Sequence, residues 1–187
     1  SKYGSSSFVD NIVQVAMKAG SAKVKIQFGP AENANDNNGH IALAVTGKAS
    51  GVRYWASYNN GTADGDSNPA LTTSKTNLKI GGSMKFGKIK ASLNYTSMDN
   101  DGAAVAGNAT DSISLGANMG FGNGLSGDIT YATRSGDVSA DDATFIRVAV
   151  MKKLNKGTSI YGGITTTDVD AANSDTSEMG VGMVVKF

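Results

Sequence analysis

The chain predicts an all-β fold, a transmembrane antiparallel β-barrel of about eleven strands in a single domain over residues 1–187. Segment after segment alternates apolar and polar residues with a period of two, which is the pattern of a strand buried on one face. The connections between segments alternate short and long along the whole chain, as they do when one end of a barrel carries tight turns and the other carries loops. The last stretch, SEMGVGMVVKF from Ser177 to Phe187, sets Met179, Val181, Met183, Val185 and Phe187 against Glu178, Gly180, Gly182, Val184 and Lys186. A terminal strand ending on an aromatic residue looks like the signal that outer-membrane barrels use for assembly.

The first strand is expected within Phe8 to Lys18, with Val9, Val13, Val15 and Met17 on one face and Asp10, Gln14 and Lys18 on the other. A helix is the competing reading there, because Gly is scarce in this segment. Lys23, Lys25 and Gln27 then alternate with Val24, Ile26 and Phe28. Ile41, Leu43 and Val45 oppose His40, Ala42, Ala44 and Thr46 in the third strand. In the fourth, Val52, Tyr54, Ala56 and Tyr58 oppose Arg53, Trp55 and Ser57. The fifth sets Leu78, Ile80, Met84 and Phe86 against Lys79, Ser83 and Lys85. Across Gly87 the sixth sets Ile89, Ala91, Leu93 and Tyr95 against Lys88, Lys90, Ser92 and Asn94.

Ile113, Leu115, Met119 and Phe121 mark the seventh strand, and Leu125, Ile129, Tyr131 and Thr133 the eighth, with Ser126, Asp128, Thr130 and Arg134 on the polar side. Ile146, Val148 and Val150 oppose Arg147, Ala149 and Met151 in the ninth. The tenth runs around Ser159 to Thr167. Short connections fall at 19–22, 47–51, 87, 122–124 and 154–158, and long ones at 29–39, 59–76, 97–111, 135–143 and 168–177. Tyr54, Tyr58, Phe86, Tyr95, Phe121, Tyr131 and Phe187 share the apolar face, most of them near strand ends, where interfacial aromatic girdles belong.

Composition narrows the function classes. No run approaches the 18 apolar residues of a transmembrane helix. Ser1 to Phe8 lacks the basic start and apolar core of an export signal, so an exported protein would be represented here in processed or partial form. With no cysteine, disulfides and thiolate metal sites are excluded, and a net charge of +1 gives no reason to expect a nucleic-acid partner.

The charges are nevertheless sorted. Lys23, Lys25, Arg53, Lys79, Lys85, Lys88, Lys90, Arg134 and Arg147 fall on polar faces, against the acids Asp10, Asp128 and Glu178. The remaining acids gather in the long loops. A water-filled pore selects by size and by the charges on its wall. The expected lining is therefore a basic wall of Lys23, Lys25, Arg53, Lys79, Lys85, Arg134 and Arg147, with Asp10, Gln14, Trp55, Asp128 and Glu178 beside it. Lys88 and Lys90 lie close to a short turn and read as rim residues. Trp55 on a polar face either lines the pore or marks a bulge that reverses the alternation. The DND and DVD runs at 99–101 and 168–170 do not match a full calcium loop, and His40 has no evident nucleophile or acid to form a triad. Nothing calls for a metal, a cofactor or an enzymatic reaction.

The chain resembles the trimeric general diffusion porins of Gram-negative outer membranes. The resemblance is carried by DNIVQVAM (Asp10 to Met17), FGPAENAND (Phe28 to Asp36), the short-turn and long-loop rhythm, and the terminal GMVVKF. It implies a barrel of sixteen strands with a constriction loop after the fifth, of which this chain would supply the last eleven. It also implies homotrimers, an outer-membrane location among lipid and lipopolysaccharide, small hydrophilic solutes as cargo, and partner strands supplied by the N-terminal part of the porin. Lys23, Lys25 and Arg53 would then be the first choice for the basic wall facing that loop. The alternative is a small closed barrel of ten or twelve strands with a structural or adhesive role, whose interior would be filled with side chains. The Gly, Ala and Ser residues on the inner faces argue against such filling. A barrel enzyme is the third and least supported reading.

Overall fold

A computed structural model describes residues 12–29, 39–63, 73–101, 109–137, 142–170 and 175–185. They form eleven strands: β1 (Val13–Ala19), β2 (Ala22–Gly29), β3 (His40–Ala49), β4 (Val52–Ala63), β5 (Thr73–Phe86), β6 (Ile89–Asp101), β7 (Thr110–Gly122), β8 (Leu125–Gly136), β9 (Ala143–Lys153), β10 (Thr158–Val169) and β11 (Thr176–Val185). Each strand pairs antiparallel with its sequence neighbours in a single sheet ordered β1 to β11. No helix occurs among the described residues.

The first segment is a strand. Val13, Val15 and Met17 pair with Phe28, Ile26 and Val24, so its alternating apolar residues extend the apolar face of β2. A helix would have scattered these alternating apolar residues around its axis. Asp10, Glu32, Asp36, Asp64, Asp66, Asp141, Lys186 and Phe187 lie outside the described residues.

Four of the five short connections are tighter than the sequence suggests, and the one at Gly87 is a residue longer. Residues 20–21, 50–51, 87–88 and 123–124 each join two strands, and 154–157 join β9 to β10. Ser50 and Gly51 have φ of 48° and 82°, and Asn123 and Gly124 have 49° and 75°. Positive φ at both central positions is the type I′ geometry, whose twist matches that of the flanking strands. Lys88 belongs to the two-residue turn rather than to a strand face, which corrects its expected position.

Strands also run further into the loop side. β4 continues to Ala63 and β5 begins at Thr73, so the connection expected at 59–76 shrinks to 64–72. Likewise 97–111 shrinks to 102–109. The sequence of these extensions is rich in polar residues, which removes the alternation by which a strand is recognised.

Register is continuous along almost the whole sheet. From Lys18 a ladder row passes through Lys23, Thr46, Trp55, Gly81 and Asn94, and on through Phe145 and Thr167 to Thr176. It enters one residue inside the first short turn and leaves at the loop end of β11. The register shift lies between Gly120 and Gly122, where Phe121 is the extra residue of a bulge. There the Phe121 ring lies against Gly127, and a Cβ on Gly127 would sit 3.0 Å from Phe121 Cε2.

Two faces result. One carries most of the exposed large apolar residues, among them Val13, Ile26, Leu43, Ile80, Leu115, Ile129, Val148 and Ile164. The other carries every buried residue, including Ala42, Ala44, Ser57, Asn59, Asn77, Ser83 and Ala143. In a single-layer sheet only the concave side crowds its side chains, so the sheet curls toward its polar face. The two edges, β1 and β11, are unpaired among the described residues.

Candidate functional site on the concave face

The chemistry of this sheet is concentrated on the concave face, where ladder rows set side chains shoulder to shoulder about 5 Å apart. One row runs Lys25, Ala44, Ser57, Lys79, Thr96, Ser112, Arg134, Ala143. Small and hydroxylated residues separate its three cations. Polar bonds within rows knit neighbouring strands: Gln27 Nε2 donates to Gln14 Oε1 at 2.9 Å, and Asn94 Nδ2 donates to Ser114 Oγ at 3.2 Å.

Trp55 belongs to this face. The registers of β4 with β3 and with β5 are unbroken, so no bulge reverses its side chain. Its indole lies across Gly81 on β5: a Cβ at position 81 would be 2.5 Å from Cε2 and 2.6 Å from Cζ2 and Nε1. Glycine is thus required at 81 for the ring to lie flat against the wall.

The charged residues divide into groups. Arg147 Nη2 donates to Asp128 Oδ1 at 2.7 Å, an ion pair with side chains 56% and 30% exposed. Arg134 stacks over the Phe145 ring at 5.9 Å. Glu178 closes the row that begins with Lys48 and Arg53 and passes through Arg147 and Thr165. Lys23, Arg53, Lys85 and Lys90 all lie one residue inside short turns, at one end of the sheet. Lys23 and Arg53 therefore share the rim with Lys90. Lys25 sits higher, and Lys79 is seven residues up from the end of β5 at Phe86.

Two cations of this face escape the sequence reading. Lys18 pairs directly with Lys23, and its place beside Asp10 and Gln14 on the polar face of the alternation was the available signal. Lys48 pairs directly with Arg53, because β3 continues to Ala49 through what reads as a turn. Phe145 and Tyr161 are concave-face aromatics, and Tyr161 covers Gly182 as Trp55 covers Gly81. A pocket of about 830 Å³ opens on this face, and Lys23, Lys48, Arg53, Trp55, Lys79 and Lys90 are among its lining residues.

At the loop end, acids hold backbone amides. Asp142 Oδ1 accepts from Gly136 N at 2.8 Å, Asp137 Oδ2 from Ala109 N at 3.2 Å, and Asp175 Oδ1 from Val169 N at 3.1 Å. Among the described residues no three acids or histidines converge on a common point.

The model of the Gram-negative porin family matches residues 4–172. The chain belongs to that family. It is an outer-membrane β-barrel protein, and its paired strands, tight turns and apolar outer face are those of a porin wall.

Solved structures agree on the fold. OmpTdeltaL8, the loop L8 deletion mutant of OmpT from Vibrio cholerae, superposes with a TM-score of 0.70 at 17% identity, over 93% of this porin chain and 62% of that one. The anion-selective porin from Comamonas acidovorans gives 0.68 at 19% identity, over 95% and 56%. OmpF of Salmonella typhi, in complex with daunomycin, gives 0.69 at 12%, over 93% and 61%. The porin chain thus spans about three fifths of the length of these structures. A search of curated proteins found no sequence match.

Proposed function

We propose that this chain supplies most of the wall of a water-filled channel for the passive diffusion of small hydrophilic solutes and ions across the outer membrane. The observation that carries the proposal is the division of the sheet into an apolar convex face and a concave face of small, polar and basic residues. Lipid solvates the first, and water fills the space in front of the second. Family membership supports the same reading, and transport by diffusion requires no enzymatic step.

The pore lining in this reading comprises Lys23, Lys25, Arg53, Lys79, Lys85, Arg134 and Arg147, with Gln14, Trp55, Asp128 and Glu178. Asp10, outside the described residues, is assigned by alternation alone. Further strands complete the barrel, supplied by the same polypeptide or by another. Ten consecutive antiparallel pairings leave β1 and β11 parallel, so the eleven described strands do not close antiparallel on themselves. Open sheet edges also do not persist in lipid. A small closed barrel has no comparable support. The proposed assembly is a homotrimer set among lipid and lipopolysaccharide; one solved structure with this fold is described as a trimer form.

The test is conductance. The protein purified from outer membranes and added to planar bilayers should give stepwise, ohmic openings, and liposomes bearing it should swell in small sugars but not in large ones. Folded, heat-modifiable protein that gives neither steps nor swelling would sink the channel reading.

A further inference from the structure

Three consecutive short hairpins carry the same device. In β1–β2, β3–β4 and β5–β6 the second residue from the turn is basic on both strands: Lys18 with Lys23, Lys48 with Arg53, Lys85 with Lys90. In each hairpin the two are direct register partners, on the concave face. Like charges set opposite each other on adjacent strands destabilise a sheet. None of the six makes a hydrogen bond or ion pair among the described residues, whereas Arg147, on the same face, has Asp128. The β7–β8 hairpin has Gly120 and Ser126 near the corresponding positions, so the pattern is a local one.

Six cations on six adjacent strands form an arc about 24 Å long, at a strand spacing of about 4.8 Å. Lys23, Lys48, Arg53 and Lys90 line the same pocket, with Lys79 above them. Cations on adjacent strands stand within about a Debye length of each other at 0.1 M salt, so their fields overlap from one hairpin to the next. A monovalent ion answers one or two of these charges. A compact multivalent anion bridges pairs on neighbouring hairpins, and the fork of Arg53 suits phosphoryl oxygens.

We propose that this arc is a binding site for small phosphate-bearing anions at the short-turn, periplasmic mouth of the pore, separate from the ladder of Lys25, Lys79 and Arg134. The inference rests on the channel reading for the delivery of the anion, but not for the site itself. The occupant is a dissolved solute rather than a lipid headgroup, because the six side chains face away from the apolar surface. The repulsion within each pair is retained because the anion relieves it; without that, neutral residues would make a more stable rim.

The test uses the protein isolated from outer membranes, in detergent, with inorganic pyrophosphate as probe. Phosphorus NMR line broadening should report binding that weakens with salt. In K48Q/R53Q and, separately, in K85Q/K90Q, affinity should fall about tenfold, the scale set by two partly screened charges. The same variants should denature at higher temperature than the parent when pyrophosphate is absent, so a failure to fold is not expected. K152Q/K156Q removes equal charge at the same end but outside the arc, and should bind as the parent does.

Equal binding by all variants, or equal loss in K152Q/K156Q, overturns the site. So does a lower denaturation temperature in both arc variants. Conductance of the parent without pyrophosphate reads the channel separately. Conduction without binding removes this site alone, and binding without conduction removes the channel alone.

Discussion

The indole of Trp55 occupies the space that a side chain at position 81 would take, 2.5 Å from where a Cβ there would stand. The two residues are direct register partners on β4 and β5, so ring and glycine form one unit of the concave wall.

Substituting Gly81→Ala should therefore lift the indole into the lumen. Overpacking of this kind costs about 1–3 kcal/mol. A red shift in tryptophan emission together with a lower urea midpoint is expected. Unchanged emission and an unchanged midpoint would show that the ring has room to spare.

Asp128→Asn would release Arg147 from its 2.7 Å pair. Because both side chains are partly solvated, stability should change by less than about 1 kcal/mol. Selectivity should respond more, since one negative charge leaves the wall and one cation becomes free. Reversal potentials in a salt gradient should move toward anions, and movement toward cations would contradict the assigned lining.

Neighbouring residues on β9 offer a direct test of which face meets lipid. Val148 is convex and Ala149 concave, opposite Asp128. Val148→Lys should cost about 2–4 kcal/mol, as a lysine does at mid-bilayer. Ala149→Lys, next to a carboxylate and water, should be nearly neutral. Refolding titrations into lipid vesicles would reverse that order if the faces were exchanged.

Asn123 holds a φ of 49° in the β7–β8 turn. Asn123→Val places a β-branched residue in the left-handed region at a cost of about 1–2 kcal/mol, whereas Asn123→Gly should be tolerated. Folding yield from urea, compared between the two, measures the difference.

Alternation and the rhythm of turns together located the eleven strands, because Val, Ile, Leu and Met recur every second residue wherever the sheet meets an apolar medium. Where neither face does, the signal fades. The tails of β4 and β5, from Asn59 to Ala63 and from Thr73 to Asn77, carry no apolar alternation in sequence and read as loop. Lys48 was lost for a related reason, since GKASG resembles a turn although β3 runs through its first three residues. The pairing of lysine with lysine across a hairpin depends on the register of each turn, which was read one residue wrong at Gly87. Covering of Gly81 by Trp55 needs partners far apart in sequence, and no local pattern announces it.

The ladder row that starts at Lys18 fixes how this wall stands in its membrane. Between β2 and β10 it climbs from one residue above a turn to Thr167, nine residues above the start of β10 at Thr158. That slip of eight residues is about 27 Å, set against about 38 Å of lateral spacing over eight strands. The ratio inclines the strands by about 35°, within the range of outer-membrane barrels. At that lean ten residues rise about 27 Å, close to the height of the apolar band that such barrels present. Hydrophobic thickness is thus encoded in hydrogen-bond registration, and a one-residue slip at any hairpin would change both the lean of the wall and the bilayer it fits.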